Sequence, residues 1–188
     1  MSISFEEQIR TLADCGIRLV PEVTPDRLLA SFDRNDYESE PFVMLLCTMG
    51  AELDVEPYMI PSNDIWHFDT ECIEDHNDYV RIAQRMSDLA GGQLPLDDLK
   101  DSVDIDAGKA WLSFRVDGQP YRWDAKVDDD WVDARILSRF AELLRSRGTD
   151  RRYTYYNLGG QDCLLGCSTA EHLQRLREAT GLDFVWLT

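Results

Sequence analysis

Apolar residues alternate on both sides of an Asp117-Gly118 pair, and no other pattern constrains the fold of this chain as tightly. Ala110, Leu112, Phe114 and Val116 lead into the pair, and Tyr121, Trp123, Ala125 and Val127 lead out of it. A period of two puts each set on one face of a strand, and Asp-Gly suits a two-residue hairpin turn that needs positive φ. Arg115, Arg122, Asp124 and Lys126 fall on the other face, which therefore meets water. A hairpin with one apolar face cannot stand alone, so that face needs a cover of helices or further strands.

The rest of the chain supplies both. HNDYVRIAQRMSDLAGG places Tyr79, Ile82, Ala83, Met86, Leu89 and Ala90 on one helical stripe, closed by Gly91 or Gly92. A second helix is predicted from about Val132 to Arg145, with Ile136, Phe140, Leu143 and Leu144 inward and Asp130 as its N-cap. Near the start, Ser4 and Glu7 form a capping-box pattern for a helix over 5–14 that Gly16 ends. A strand over 17–20, a helix from Thr24-Pro25 to Phe32 and a polar turn in RNDYESEP follow. FVMLLCTM is a short continuous apolar run whose length favours a buried strand. Ile65 to Glu71 alternates as a strand, and RYTYYNL, DCLLGC and LDFVWL read as three more. A helix between the last two starts at a Ser168–Glu171 capping box and stops at Gly181. Strands and helices thus intersperse. The expected fold is α+β, a single domain over 1–188 with an antiparallel or mixed sheet and helices packed mainly on one face. Residues 1–50 form an N-terminal helical and strand layer in this reading. An acidic, irregular link over 51–64 follows, where Pro57 and Pro61 interrupt both periodicities.

Length and composition fit one substantial core. The chain has 188 residues, 44% of them apolar, with five Trp, seven Tyr and seven Phe, too many large apolar groups for a disordered acidic chain. The net charge is −17, and the 27 residues from Glu52 to Asp78 hold nine carboxylates with neither Lys nor Arg. A field of that sign repels phosphate backbones and anionic lipid, so nucleic acid and membrane surfaces are excluded as expected partners, and cations or basic proteins are favoured. Neither a basic leader with an apolar run nor eighteen successive apolar residues occurs, which predicts a cytoplasmic protein. Cys15, Cys47, Cys72, Cys163 and Cys167 are odd in number and lack a C-x-x-C pair, as expected of reduced thiols. A strand over 163–167 would hold its two cysteines about 13 Å apart, beyond a disulfide's reach.

Chemistry concentrates in WHFDTECIEDHND. On a strand, His67, Asp69 and Glu71 share one face and Trp66 and Phe68 the other. With Asp75 and His76 just beyond, these residues form a candidate site for a divalent metal, whose bound water would serve hydrolysis. The opposing consideration is spacing, because alternate strand positions lie about 6.6 Å apart. Cys163 or Cys167 with His172 as base is a weaker nucleophilic pair, since a thiol in an apolar strand is ordinarily inert. Gly-Gly-Gln occurs at 91–93 and 159–161, as in peptide chain release factors, but both copies fall where a cap or turn calls for glycine. No G-x-x-x-x-G-K, G-x-G-x-x-G or G-x-S-x-G motif occurs.

A non-enzymatic binding protein with no cofactor is therefore the favoured reading, and a metal-dependent hydrolase at His67, Asp69, Glu71 and His76 the alternative. Glu52, Glu56, Asp64, Glu74, Asp75, Asp128 and Asp129 would meet a basic protein, with Tyr58, Trp66 and Trp131 as aromatic anchors. In size, acidity and lack of a catalytic motif the chain resembles bacterial immunity proteins. That resemblance implies an inhibitor of a basic toxin or nuclease. A third reading pairs two copies through LDFVWL as an exposed edge.

Overall fold

The computed structural model describes residues 3–188. In chain order the elements are α1 (Phe5–Asp14), α2 (Pro25–Leu28), α3 (Arg34–Ser39), α4 (Val43–Gly50), β1 (Ile65–Asp69), α5 (Asp78–Leu89), β2 (Asp97–Asp104), β3 (Lys109–Val116), β4 (Gln119–Ala125), α6 (Ala134–Ser146), β5 (Arg152–Gly159), β6 (Asp162–Ser168), α7 (Ala170–Thr180) and β7 (Val185–Trp186). The fold is α+β, as the mixed periodicities require, with two antiparallel sheets in the orders β1-β6-β5-β7 and β2-β3-β4. The chain is arranged as two compact units. One runs to Phe68 and resumes over Tyr153–Trp186; the other comprises Asp69–Arg152 with Leu187 and Thr188. The acidic link over 51–64 lies inside the first unit and does not divide the two.

The second unit contains the hairpin that the sequence announces. β3 and β4 pair with Leu112 opposite Trp123 and Phe114 opposite Tyr121, and the turn has φ of +49° at Asp117 and +80° at Gly118. Both central residues are left-handed, as a type I′ turn demands. Ala110, Leu112, Phe114 and Val116 are buried, and Phe114 meets the Phe140 ring of α6 at 5.6 Å between centroids. α5 packs on β2 and β3 and α6 on β4, covering one face of the sheet. β2 escapes the sequence because DDLKDSVD has no alternation to read; only Val103 in it is buried. The cap of α6 also differs from expectation. Asp133, not Asp130, is the N-cap, and its side chain accepts from the Arg135 amide, because the helix starts three residues later than the acidic run.

In the first unit, α1 begins as its capping residue dictates, with Ser4 Oγ accepting from the Glu7 amide at 3.3 Å. Its inner face carries Gln8, which is fully buried. Gln8 Nε2 donates to the carbonyls of Tyr37 (2.8 Å) and Ile3 (3.1 Å), and its Oε1 accepts from the Phe42 amide (2.8 Å). One side chain thereby ties α1 to the end of α3 and the start of α4. Several expectations need correction here. FVMLLCTM forms the helix α4, not a strand: Leu45 and Leu46 are fully buried and Met49 nearly so, and an all-round apolar helix is the kind that a core encloses. RNDYESEP is not a turn but contains α3, started by a capping box between Asp33 and Asp36 and anchored by buried Tyr37, whose hydroxyl donates to the Leu28 carbonyl at 2.8 Å. Residues 17–20 form no strand; Arg18 donates its amide to Asp64 Oδ2 and Val20 donates its own to the Pro61 carbonyl, so no ladder develops. The helix expected to reach Phe32 ends at Leu28. Thr169 rather than Ser168 caps α7, and only Val185 and Trp186 of LDFVWL pair, with Tyr155 and Thr154 of β5.

Candidate binding pocket and acidic loop

Turning the apolar run into a helix has a consequence for the surface. Met44, Cys47, Thr48 and Ala51 are spaced i, i+3, i+4 and i+7, so they share one face of α4 and its C-cap, distinct from the face carrying Leu45, Leu46 and Met49. That face forms the wall of a pocket of about 290 Å³ completed by Ser31, Phe32, Glu52, Leu53, Asp54 and His67. Phe32 is 43% exposed at its edge, and Glu52 and Asp54 are exposed beside it. Gly50 closes α4 directly against β1: a Cβ there would stand 2.8 Å from the Trp66 carbonyl carbon and still closer to the His67 amide nitrogen. Glycine is what lets the helix end approach the strand.

The acidic link is ordered by backbone contacts. Leu53 donates its amide to the Met59 carbonyl at 3.0 Å, closing the loop 53–59, and Arg27 Nη2 donates to the carbonyls of Val55 (3.2 Å) and Pro57 (2.9 Å). Arg27 thus spends its charge on carbonyl oxygens. Asp54, Glu56 and the 63%-exposed Tyr58 are left facing solvent. The first unit holds 17 acidic and six basic residues, a net of −11, against 19 and 13, a net of −6, in the second. The negative field is therefore concentrated on the unit that carries the pocket.

The ten residues singled out for binding divide evenly between the units. Glu52, Glu56, Tyr58, Asp64 and Trp66 lie in the first, and Glu74, Asp75, Asp128, Asp129 and Trp131 in the second. Asp64 is half-buried and receives the Arg18 amide at 3.0 Å, so it has a structural task. Trp66 is half-buried against Phe68, with ring centroids 4.2 Å apart. In the second unit, the buried Asp78 carboxylate accepts the amides of Glu74 (2.7 Å) and Asp75 (2.8 Å), which leaves both acidic side chains exposed ahead of α5. Cys72 and Ile73 donate their amides to the Asp130 carbonyl, and Glu71 bridges Trp131, so two acidic stretches distant in sequence run side by side there. Asp128 is partly neutralised by Lys126 at 2.5 Å, and Asp129 is exposed with φ +55°.

The metal-site candidates are engaged otherwise. His67 Nε2 lies 3.4 Å from Asp162 Oδ1, Asp69 Oδ1 receives the Glu71 amide at 2.8 Å, and His76 Nδ1 receives the Val103 amide at 3.2 Å. Asp75 Oδ1 receives the His76 amide at 2.7 Å. Among the described residues no three His, Cys, Asp or Glu side chains come together to hold a metal ion, so the row expected on β1 is not assembled. The 6.6 Å step along a strand and the end of β1 at Asp69, before Glu71, account for this.

The thiols are poorly placed for nucleophilic work. Burial pushes Cys47 up to about 11, with Asp162 and Glu40 adding to it, and Cys72 up to about 12, with Asp78 and Asp69 adding. Cys163 and Cys167 are buried in β6, while the His172 ring lies against Gly16. None of the five cysteines is joined in a disulfide. Gly91 and Gly92 follow α5 at φ +59° and +82°, and Gly159 and Gly160 turn β5 into β6 at +90° and +63°, so both Gly-Gly-Gln copies serve backbone geometry.

No protein-family model matches the chain, and no curated protein and no solved structure is similar to it. No helix among the described residues is long and apolar enough to cross a membrane.

The sequence reading missed the pocket. Its signal was the i, i+3, i+4, i+7 spacing of Met44, Cys47, Thr48 and Ala51, masked because the residues between them are apolar as well.

Proposed function

We propose that this chain is a non-enzymatic binding protein of the cytoplasm whose partner is a basic protein, acting as an inhibitor of the kind that bacterial immunity proteins exemplify. The observation that carries the reading is the acidic loop of the first unit. Glu52, Asp54 and Glu56 stand exposed on a loop pinned by Arg27, next to exposed Tyr58, and Glu52 and Asp54 border a pocket edged by Phe32. Exposed charge accelerates encounter and fixes orientation, whereas anchoring comes from apolar and aromatic groups that a partner can desolvate. A pinned loop also loses less conformational freedom on binding than a mobile one. A toxin or nuclease that itself binds phosphate backbones presents the basic surface this loop complements.

The test is affinity capture from lysate of the source cell at about 0.15 M salt, a screening length of roughly 8 Å. The reading predicts one basic protein held in near-stoichiometric amount and lost when Glu52, Asp54 and Glu56 are changed to their amides. Recovery of a partner that is acidic, or indifferent to those three changes, would overturn it.

A further inference from the structure

The pocket beside the acidic loop has a definite size and polarity, and together they specify what can enter it. Its volume, about 290 Å³, is at the lower edge of small-molecule sites, so it accepts one large side chain or a fragment of that size rather than a nucleotide or a cofactor. Its wall is apolar over Phe32, Met44, Ala51 and Leu53. Its polar groups are the exposed Glu52 and Asp54, His67, Ser31 and Thr48, whose hydroxyl donates to the Met44 carbonyl at 2.9 Å. Ser31 Oγ is buried and has no hydrogen-bond partner among the described residues. His67 Nε2 lies 3.4 Å from Asp162 Oδ1, and Glu52 and Asp54 are the acidic groups of the lining.

An anion would face the two carboxylates of Glu52 and Asp54. A bare lysine reaching the floor would bury its ammonium against methionine and phenylalanine, where desolvation opposes it. A group with an apolar body and a cation close behind meets neither penalty. We propose that the pocket is a subsite for an amphipathic cation, presented by the basic partner as an aromatic or branched aliphatic side chain flanked by lysine or arginine. The apolar body fills the space between Phe32, Met44, Cys47 and Ala51, and the cation meets Glu52 and Asp54 at the mouth. This rests on the proposed function and adds the identity of the group that the partner inserts.

The test uses a probe independent of any protein partner. Phenethylamine, protonated at pH 7, is titrated into the full chain and followed by amide NMR, with 2-phenylethanol and 3-phenylpropionate as neutral and anionic counterparts of similar shape. For a ligand of nine heavy atoms the dissociation constant is on the order of millimolar. Saturable shifts confined to residues 31–32, 44–54 and 67 are expected. The alcohol should bind about five-fold more weakly, in line with the modest worth of an exposed charge pair, and the propionate should not saturate. Ala51→Leu, which fills the space, should abolish the amine's shifts, and the surface change Glu52→Gln with Asp54→Asn should reduce the amine to the level of the alcohol. Equal binding of amine and propionate, or shifts spread over the chain without saturation, would overturn the proposal. If a basic protein is held through Glu52, Asp54 and Glu56 while the amine fails, the subsite is refuted and the inhibitor reading stands. If the amine binds as expected and no basic protein is held, the inhibitor reading fails and the pocket's chemistry stands.

Discussion

Replacing Gln8 with leucine removes three hydrogen bonds from the interior of the first unit while keeping a side chain of similar volume. Phe42 N–H and the Tyr37 carbonyl, both 2.8 Å from the Gln8 amide group, are left in a buried setting that leucine cannot satisfy. Each orphaned buried backbone group costs about 1–3 kcal/mol, so the expected loss is roughly 2–6 kcal/mol, a large part of a typical domain's stability. Phe42 adds to the strain, because it holds φ at +70° and the Gln8 oxygen is what receives its amide. Urea unfolding of Gln8→Leu against the parent chain measures the loss. Ser4→Ala serves as the comparison, since it removes only the exposed N-cap bond of the same helix and should cost about 1 kcal/mol. A Gln8→Leu loss below about 0.5 kcal/mol, or one no larger than that of Ser4→Ala, would refute the view that this amide holds α1 to the pocket-bearing helix α4.

Asp133 gives a pH prediction. Burial pushes its carboxyl up, but hydrogen bonds from the Arg135 guanidinium and from the Lys126 and Arg135 amides outweigh this and hold it below its ordinary value. A folded-state value below the unfolded one, about 3.9, gives stability that is present above that pH and lost as pH falls through the folded value. Asp133→Asn should therefore cost roughly 1.5–3 kcal/mol at pH 7, and the difference should shrink below about pH 4 in a stability-against-pH series; a cost unchanged down to pH 2 contradicts the assignment. Gly50→Ala should cost about 1–3 kcal/mol in urea unfolding, because its Cβ would collide with β1 backbone, and a neutral result would mean that α4 and β1 are not so closely packed. Cys47 and Cys72, pushed up to about 11 and 12, should resist iodoacetamide at pH 7.5 in the folded chain and react on unfolding; rapid native alkylation of either would refute the burial argument.

What the sequence disclosed follows from where its periodicity was clean. The Asp117-Gly118 hairpin and α5 were legible because polar and apolar residues separate sharply there, and the same is true of α1 with its Ser4 cap. α4 was not legible, because an element enclosed by core loses its polar face, and then length alone must decide between helix and strand. β2 failed for the opposite reason, since a mostly exposed strand has almost no apolar face. At the candidate site, the acidity of residues 52–56 and the exposure of Tyr58 were readable. The pinning of that loop by Arg27 was not, because a bond from residue 27 to carbonyls at 55 and 57 depends on tertiary placement. The contacts of the metal candidates were equally hidden: His67 and Asp69 are neighbours in sequence pattern, but His67 lies against Asp162 and Asp69 receives the Glu71 amide.

The central claim is that the acidic loop binds a basic protein through its charge, and the most direct test is the affinity of the captured partner across ionic strength. For the parent chain the dissociation constant should rise by about ten-fold or more between roughly 0.05 and 0.5 M salt, as the screening length falls from about 14 to 4 Å. The variant carrying Glu52→Gln, Asp54→Asn and Glu56→Gln should bind more weakly at low salt, with a nearly flat dependence. Parent and variant curves that coincide would contradict the account.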